Sequence, residues 1–83
     1  MVVSFATALR AFADPFALTI LERVEDGEHR WQTLGAVQGH LLLLIAHTLR
    51  ELDEDGRSVE VVRIISARKA DRSERRRYEQ ETR

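Results

Sequence analysis

The sequence predicts an α+β domain: a four-stranded antiparallel sheet running as a meander, with an N-terminal helix packed on it and a basic C-terminal helix. Three observations carry that expectation. Short stretches between residues 16 and 66 alternate side chains with the period of two that belongs to strands. They follow one another through short Gly-marked connections, which favours pairing between sequence neighbours. Helix-capping signals and helical spacing stand at the two ends. A chain of 83 residues allows one domain, 1–83, with a modest core.

In order, Ser4 is placed to cap a helix from Phe5 to about Ala13, with Phe5, Ala8, Leu9 and Phe12 as its core-facing stripe. Asp14-Pro15 ends it, because a residue before proline avoids the helical region. Phe16 to Leu21 reads as the first strand and Glu22 to His29 as an acidic connection broken at Gly27. Arg30 to Val37 is the second strand, with Trp31, Thr33, Gly35 and Val37 alternating against Arg30, Gln32, Leu34 and Ala36. Gly39 turns the chain into His40 to Thr48, whose continuous leucines suit a fully buried strand. Leu49 to Arg57, containing Asp55-Gly56, reads as a turn-rich connection.

The fourth strand contains Val59, Val61, Val62, Ile64 and Ile65. Strict alternation puts Val59, Val61, Arg63 and Ile65 on one face and Glu60, Val62, Ile64 and Ser66 on the other. Apolar residues on both faces suggest a strand deep in the sheet, where Arg63 needs an anion or water. Asp71 followed by Glu74 fits a capping box opening the last helix. Arg72 and Arg76 lie four apart on it, and from Arg68 to Tyr78 there are five arginines and one lysine. That is a basic surface with an aromatic at its side.

The net charge of −1 hides a division. Residues 1–56 carry four arginines against nine acids, whereas residues 57–83 carry nine cations against five acids. Such a split favours a basic face suited to phosphate beside an acidic one suited to a basic partner. The plainer alternative is a solvated helix with its own salt bridges. Without cysteine there is neither a disulfide framework nor a thiolate metal site. The longest apolar run, Leu41 to Ala46, is too short to cross a bilayer, and no signal-peptide pattern opens the chain, so no membrane association and a cytoplasmic location are expected.

There is no Gly-rich phosphate loop, Gly-x-Ser-x-Gly elbow or His-Glu-x-x-His helix. His29, His40 and His47 are scattered, with His40 and His47 on opposite faces of the same strand, so neither a metal nor a cofactor is expected. His47 is a candidate acid or base, or else a strand-end histidine bonded to backbone. Arg30 and Arg63 would line one concave surface if their strands neighbour. The alternatives are a rim salt bridge from Arg30 to Glu22, Glu25 or Glu28, and a buried ion pair for Arg63. Tyr78 either stacks on a base or covers the helix-to-sheet contact.

Arg63-Ile64-Ile65-Ser66-Ala67-Arg68-Lys69-Ala70, followed by Glu74-Arg75-Arg76-Arg77-Tyr78-Glu79, resembles the C-terminal signature of BrnT-type toxins, the ribonuclease halves of bacterial type II toxin–antitoxin pairs. Val3-Ser4-Phe5 with Ala8, then Phe12-Ala13-Asp14-Pro15, is similar to that family's helix and Asp-Pro. Arg30-Trp31-Gln32-Thr33-Leu34-Gly35 resembles its Arg-aromatic-x-x-x-Gly strand, so the likeness runs nearly end to end. The resemblance implies a RelE-like fold and metal-independent RNA cleavage. It also implies a ribbon-helix-helix antitoxin of the BrnA kind, operator DNA reached only through the toxin–antitoxin complex, and dimeric assembly. Carried over by position, the catalytic candidates are Arg63, Arg68, Tyr78 and His47. The candidates for holding RNA are Arg30 and Lys69, joined by Arg72 and Arg76 on the basic helix.

Two departures qualify the resemblance. The family usually opens with a strand containing Trp-Asp and a helix leading to Lys-His-Gly, and neither stands before Met1-Val2-Val3. A domain shortened in this way is expected to expose a sheet edge open to homodimerisation or to a partner strand. Leu49 to Arg57 is longer than the family's tight hairpin and is expected to lengthen it without touching the site. The rival to a nuclease is an inactive toxin that keeps antitoxin binding and operon autoregulation.

Overall fold

The computed structural model describes residues 3–81. Helix α1 (Phe5–Ala11) precedes four strands, β1 (Leu18–Glu25), β2 (Glu28–Val37), β3 (Leu41–Glu54) and β4 (Arg57–Lys69), and α2 (Arg72–Glu81) follows. The strands form one antiparallel sheet in the order β1-β2-β3-β4, the meander that the sequence predicts. None of the described helices is long and apolar enough to cross a membrane.

The acidic and polar stretches read as connections are the outer arms of hairpins. β1 runs on to Glu25 and turns through Asp26-Gly27, and β3 runs on to Glu54 and turns through Asp55-Gly56. In each turn both residues have positive φ: 52° and 78° in the first, 49° and 77° in the second. These are two-residue turns of the type that matches strand twist, so no long loop is needed. Composition misleads here because solvent bathes both faces of these arms, where charged residues cost nothing. Leu49 to Arg57 is thus strand and tight turn rather than a turn-rich connection, and it extends the β3–β4 hairpin.

β3, not β4, is the buried strand. Leu42, Leu43, Leu44 and Ile45 are buried, while β4 is an edge strand whose Val59, Val61, Val62 and Ile65 are 38–46% exposed. Apolar residues on both faces of β4 therefore do not mark a central position.

The helical stripe meets the core at Ala8 and Phe12 but not at Phe5 and Leu9. Ala8 and Ala11 are buried, whereas Phe5 and Leu9 are exposed and Phe12 is half-buried. The reason lies across the interface, at Gly35 of β2. A Cβ there would stand 2.2 Å from the Ala11 carbonyl oxygen, so helix and sheet touch backbone to backbone and only small side chains fit between them. Ser4 caps α1, accepting from the Thr7 amide at 3.1 Å.

One cluster, Ala8, Ala11, Val37, Leu43 and Ile45, lies on the α1 face of the sheet. The other, Leu34, Leu42, Leu44 and Ala70, lies on the opposite face with Leu18, Ala36 and Tyr78 against it. Asp14 ties the layers together. One carboxylate oxygen accepts from the Phe16 amide at 2.9 Å, and the other accepts from the Ala36 amide at 2.8 Å and the Tyr78 hydroxyl at 2.5 Å. Ala36 lies past the start of the β1 ladder, so the carboxylate accepts the amide hydrogen bond that a neighbouring strand would otherwise accept.

Candidate nucleic-acid interface

Two β-bulges decide which side chains share a face. In β4, Ser66 opposes Ala46 and Ile64 opposes His47, leaving Ile65 as the extra residue. In β1, Leu21 opposes Trp31 and Arg23 opposes Arg30, leaving Glu22 as the extra residue. Unbroken alternation would separate Arg63 from Arg68, and Arg23 from Leu18 and Ile20. Each bulge inverts the count and brings its arginine to the α2 face.

The result is a cross-strand row, Arg23–Arg30–Thr48–Arg63, each opposite the next in register. Arg30 and Arg63 sit on strands that do not neighbour, because β3 lies between them. Two inter-strand spacings separate their backbones by about 10 Å, with the Thr48 side chain in the gap. Alternation adds Arg50 one rung further out on the same face. The carboxylate of Glu25 approaches Arg23 Nε at 3.2 Å and Arg30 Nε at 3.5 Å. Buried Arg30 Nε makes no hydrogen bond among the described residues, so Glu25 attracts it without satisfying it. Arg63 is exposed, and no ion pair within the described residues holds it.

Arg68 shares that face about 13 Å along the strand, but its guanidinium is engaged. It donates to both oxygens of Glu74 at 2.8 Å, a fork-to-fork pair, and to the Lys69 carbonyl at 3.3 Å. Glu74 also completes the capping box: it accepts from the Asp71 amide at 2.9 Å while its own amide donates to Asp71 at 2.8 Å. The Arg68 hydrogen bond is the chief influence holding the Glu74 carboxyl below its ordinary range, and Glu74 in return raises Arg68. Arg68 thus fastens α2 to β4. Arg72 and Arg76 are exposed on α2.

Lys69 and His47 lie on the other face. Lys69 opposes Leu43 beside the α1 cluster. His47 is 2% exposed; its Nε2 is 2.7 Å from Thr33 Oγ1, which is 2.8 Å from Thr19 Oγ1, and Phe12 meets its ring edge-on at 5.0 Å. Burial lowers its pKa, with the Thr48 backbone opposing the shift. Tyr78 covers the contact between α2 and the sheet and donates to Asp14; burial, then that bond and charge, push it up to about 12. Burial alone would raise Asp14, but hydrogen bonds from Tyr78, Ala36 and Phe16 outweigh it and lower the carboxyl. Among the described residues no group of three or more His, Asp or Glu is placed to hold a metal ion.

Arg23, Thr48 and Arg50 escape a reading by sequence. Arg23 is hidden by the expectation that the first strand ends at Leu21, and then by the Glu22 bulge, and Thr48 and Arg50 by the expectation that β3 ends at Thr48. The register of the hairpins is the signal that finds all three.

No curated protein is significantly similar to the chain. The family model described as "Ribonuclease toxin, BrnT, of type II toxin-antitoxin system" matches residues 2–74, a span that takes in the arginine row, the Arg68–Glu74 pair and Gly35. The chain belongs to the BrnT family of ribonuclease toxins of type II toxin–antitoxin systems.

Proposed function

We propose that this chain is the toxin of its pair and cleaves RNA without a metal ion, using the arginine row on the α2 face to hold the scissile phosphate. The observation that carries this reading is the pair of bulges that turn Arg23 and Arg63 onto the rung already occupied by Arg30 and Thr48. Bulges of this kind re-aim side chains at functional sites. RNA supplies its own nucleophile in the 2′-hydroxyl, so no covalent residue is required. The 2′-oxygen, giving up its proton, attacks phosphorus in line while the bond to the 5′-oxygen breaks, leaving a 2′,3′-cyclic phosphate and a 5′-hydroxyl that takes its proton from water. Arg30 and Arg63, reaching from either side of Thr48, stabilise the charge that gathers on the non-bridging oxygens. Glu25 gives up Arg30 to the phosphate and is the carboxylate of the row that can take the 2′-hydroxyl proton.

Arg68 acts through α2 in this account, and His47 and Tyr78 hold the scaffold rather than move protons. Arg72 and Arg76 extend the basic surface for flanking phosphates. The partner is a ribbon-helix-helix antitoxin, the complex rather than the toxin reaches operator DNA, and the toxin arrests growth from the cytoplasm. Incubation of purified chain with a long RNA and a chelator tests the reading: products are expected, and their absence at saturating protein would overturn it.

A second reading has its own observation in the exposed valines of edge strand β4. Such an edge accepts a strand from a second copy or from an antitoxin. On that reading the chain binds RNA or its partner and releases no cleavage products.

A further inference from the structure

The two faces of the sheet differ in charge as well as in cover. β3 has 14 residues in a molecule whose longest extent is 41 Å, whereas the seven-residue α1 is about 10 Å long. The cluster under α1 reaches Leu43 and Ile45, and Phe12 touches His47. Among the described residues, no helix covers the α1 face beyond His47. Register and alternation place Leu21 and Trp31 on the His47 rung and Val24, Leu49 and Val62 beyond it, with Leu21, Val24 and Val62 exposed by 43%, 55% and 39%. The Trp31 ring stacks on His29, with centroids 6.4 Å apart and planes 19° from parallel. Together with Leu49, Glu51 and Glu60 they line a shallow depression of about 250 Å³, bordered by Arg50.

The charged positions that alternation puts on this floor are acidic, although Arg50, whose strand position alternates to the other face, also lines the depression. Glu51 lies directly opposite Glu60, with Asp53 one rung beyond. Like charges facing each other across a ladder repel, and the repulsion is relieved when a cation sits over the pair. The arginines of β1, β2 and β3 alternate to the other face, as do Arg57 and Arg63 of β4.

We propose that this floor is a docking surface for a protein partner, and that what docks is an amphipathic helix with a basic polar face. Its apolar stripe would lie on Trp31, Leu49 and Val62, and its cations over Glu51 and Glu60. A helix is the element that covers a sheet face, as α1 does next door. The distance from the Trp31–His47 rung to the Glu51–Glu60 rung, about 13 Å, is spanned by two to three helical turns. RNA phosphates and anionic lipid carry the wrong charge for this rim. The assignment is independent of the RNA reading, and it puts the partner on the face opposite the arginine row.

Trp31 is the single tryptophan and reports directly. The probe is a synthetic Leu/Lys peptide of about fourteen residues with helical periodicity, titrated into the full chain. A saturable change in Trp31 emission is expected, absent with the matching Leu/Glu peptide. Val62→Asp, or Leu21→Asp if the first variant loses its far-UV circular dichroism, weakens binding by about tenfold or more. Glu51→Gln with Glu60→Gln weakens it and flattens its salt dependence. Val61→Asp, one residue away but on the other face, leaves it unchanged. Equal losses from Val61→Asp and Val62→Asp, or equal binding of the Leu/Glu peptide, would overturn the proposal. So would the same emission change from phosphatidylglycerol vesicles, or a chain dimer that Val62→Asp abolishes while the Leu/Lys peptide fails to bind.

Discussion

Gly35→Ala sets two forces against each other, and the structure decides the sign. Strand propensity alone favours alanine over glycine by about 0.5–1 kcal/mol. The new methyl, however, would meet the Ala11 carbonyl oxygen at 2.2 Å, its carbon at 2.8 Å and the Ala11 Cβ at 3.0 Å. Ordinary contact begins near 3.4 Å. These are mostly backbone atoms, so no rotamer change relieves the clash and α1 has to lift by about 1 Å. Lifting it opens the cluster of Ala8, Ala11, Val37, Leu43 and Ile45. Overpacking of this kind costs about 1–3 kcal/mol, and a backbone contact belongs at the upper end. With about 4–8 °C per kcal/mol for a domain of this size, Tm should fall by at least about 10 °C. Thermal melts followed by far-UV circular dichroism, with a urea titration at fixed temperature, measure it. A variant as stable as the parent, or more stable, would refute the close approach of α1 to β2.

Tyr78→Phe should lower stability by about 1–2 kcal/mol, reduced from the value for a fully buried charged hydrogen bond because the site is half-exposed. In the parent, ultraviolet titration should place the phenol near 12. Arg68→Ala should cost no more than about 1 kcal/mol, because that side chain is 53% exposed, and Asp71→Ala about 1 kcal/mol through the lost cap. Chemical denaturation checks all three. Because burial depresses His47 below its unfolded value near 6.5, the unfolded chain binds the proton first, and stability should fall as pH drops below about 6.5. The lowered carboxyls of Asp14 and Glu74 act in the same direction only below about pH 4.5. Denaturant midpoints between about pH 7 and 5 therefore isolate His47, and a slope unchanged by His47→Gln would contradict the assignment.

Local signals in the sequence are read correctly where the structure they specify is local. Ser4 caps α1, Asp71 and Glu74 form the reciprocal box, and the strands pair in chain order, each set by residues a few positions apart. What escapes is whatever depends on a neighbour distant in the chain. The Phe5, Ala8, Leu9 and Phe12 stripe has the right period for a core face, and Ala8 and Phe12 do meet the core, but Gly35 admits Ala11 and leaves Phe5 and Leu9 outside. The valines of β4 look central, yet the sheet stops there. An extra residue at Ile65 leaves no local mark: strict alternation groups Arg63 correctly with Val59 and Val61 but wrongly with Ile65, and so parts it from Arg68, while Arg23 is lost because the first strand is read as ending at Leu21. The basic character of the candidate site is legible; its register is not.

The most direct measurement is the single-turnover cleavage rate of a long RNA in chelator for Arg23→Ala, Arg30→Ala and Arg63→Ala, beside Arg10→Ala, which lies outside the row. Loss of one phosphate-holding donor typically lowers such a rate by about two to three orders of magnitude. The account predicts losses of that size for Arg30 and Arg63, a smaller one for Arg23 at the sheet edge, and none for Arg10, with all four variants folded. An Arg30→Ala, Arg63→Ala double variant that cleaves as fast as the parent would contradict it.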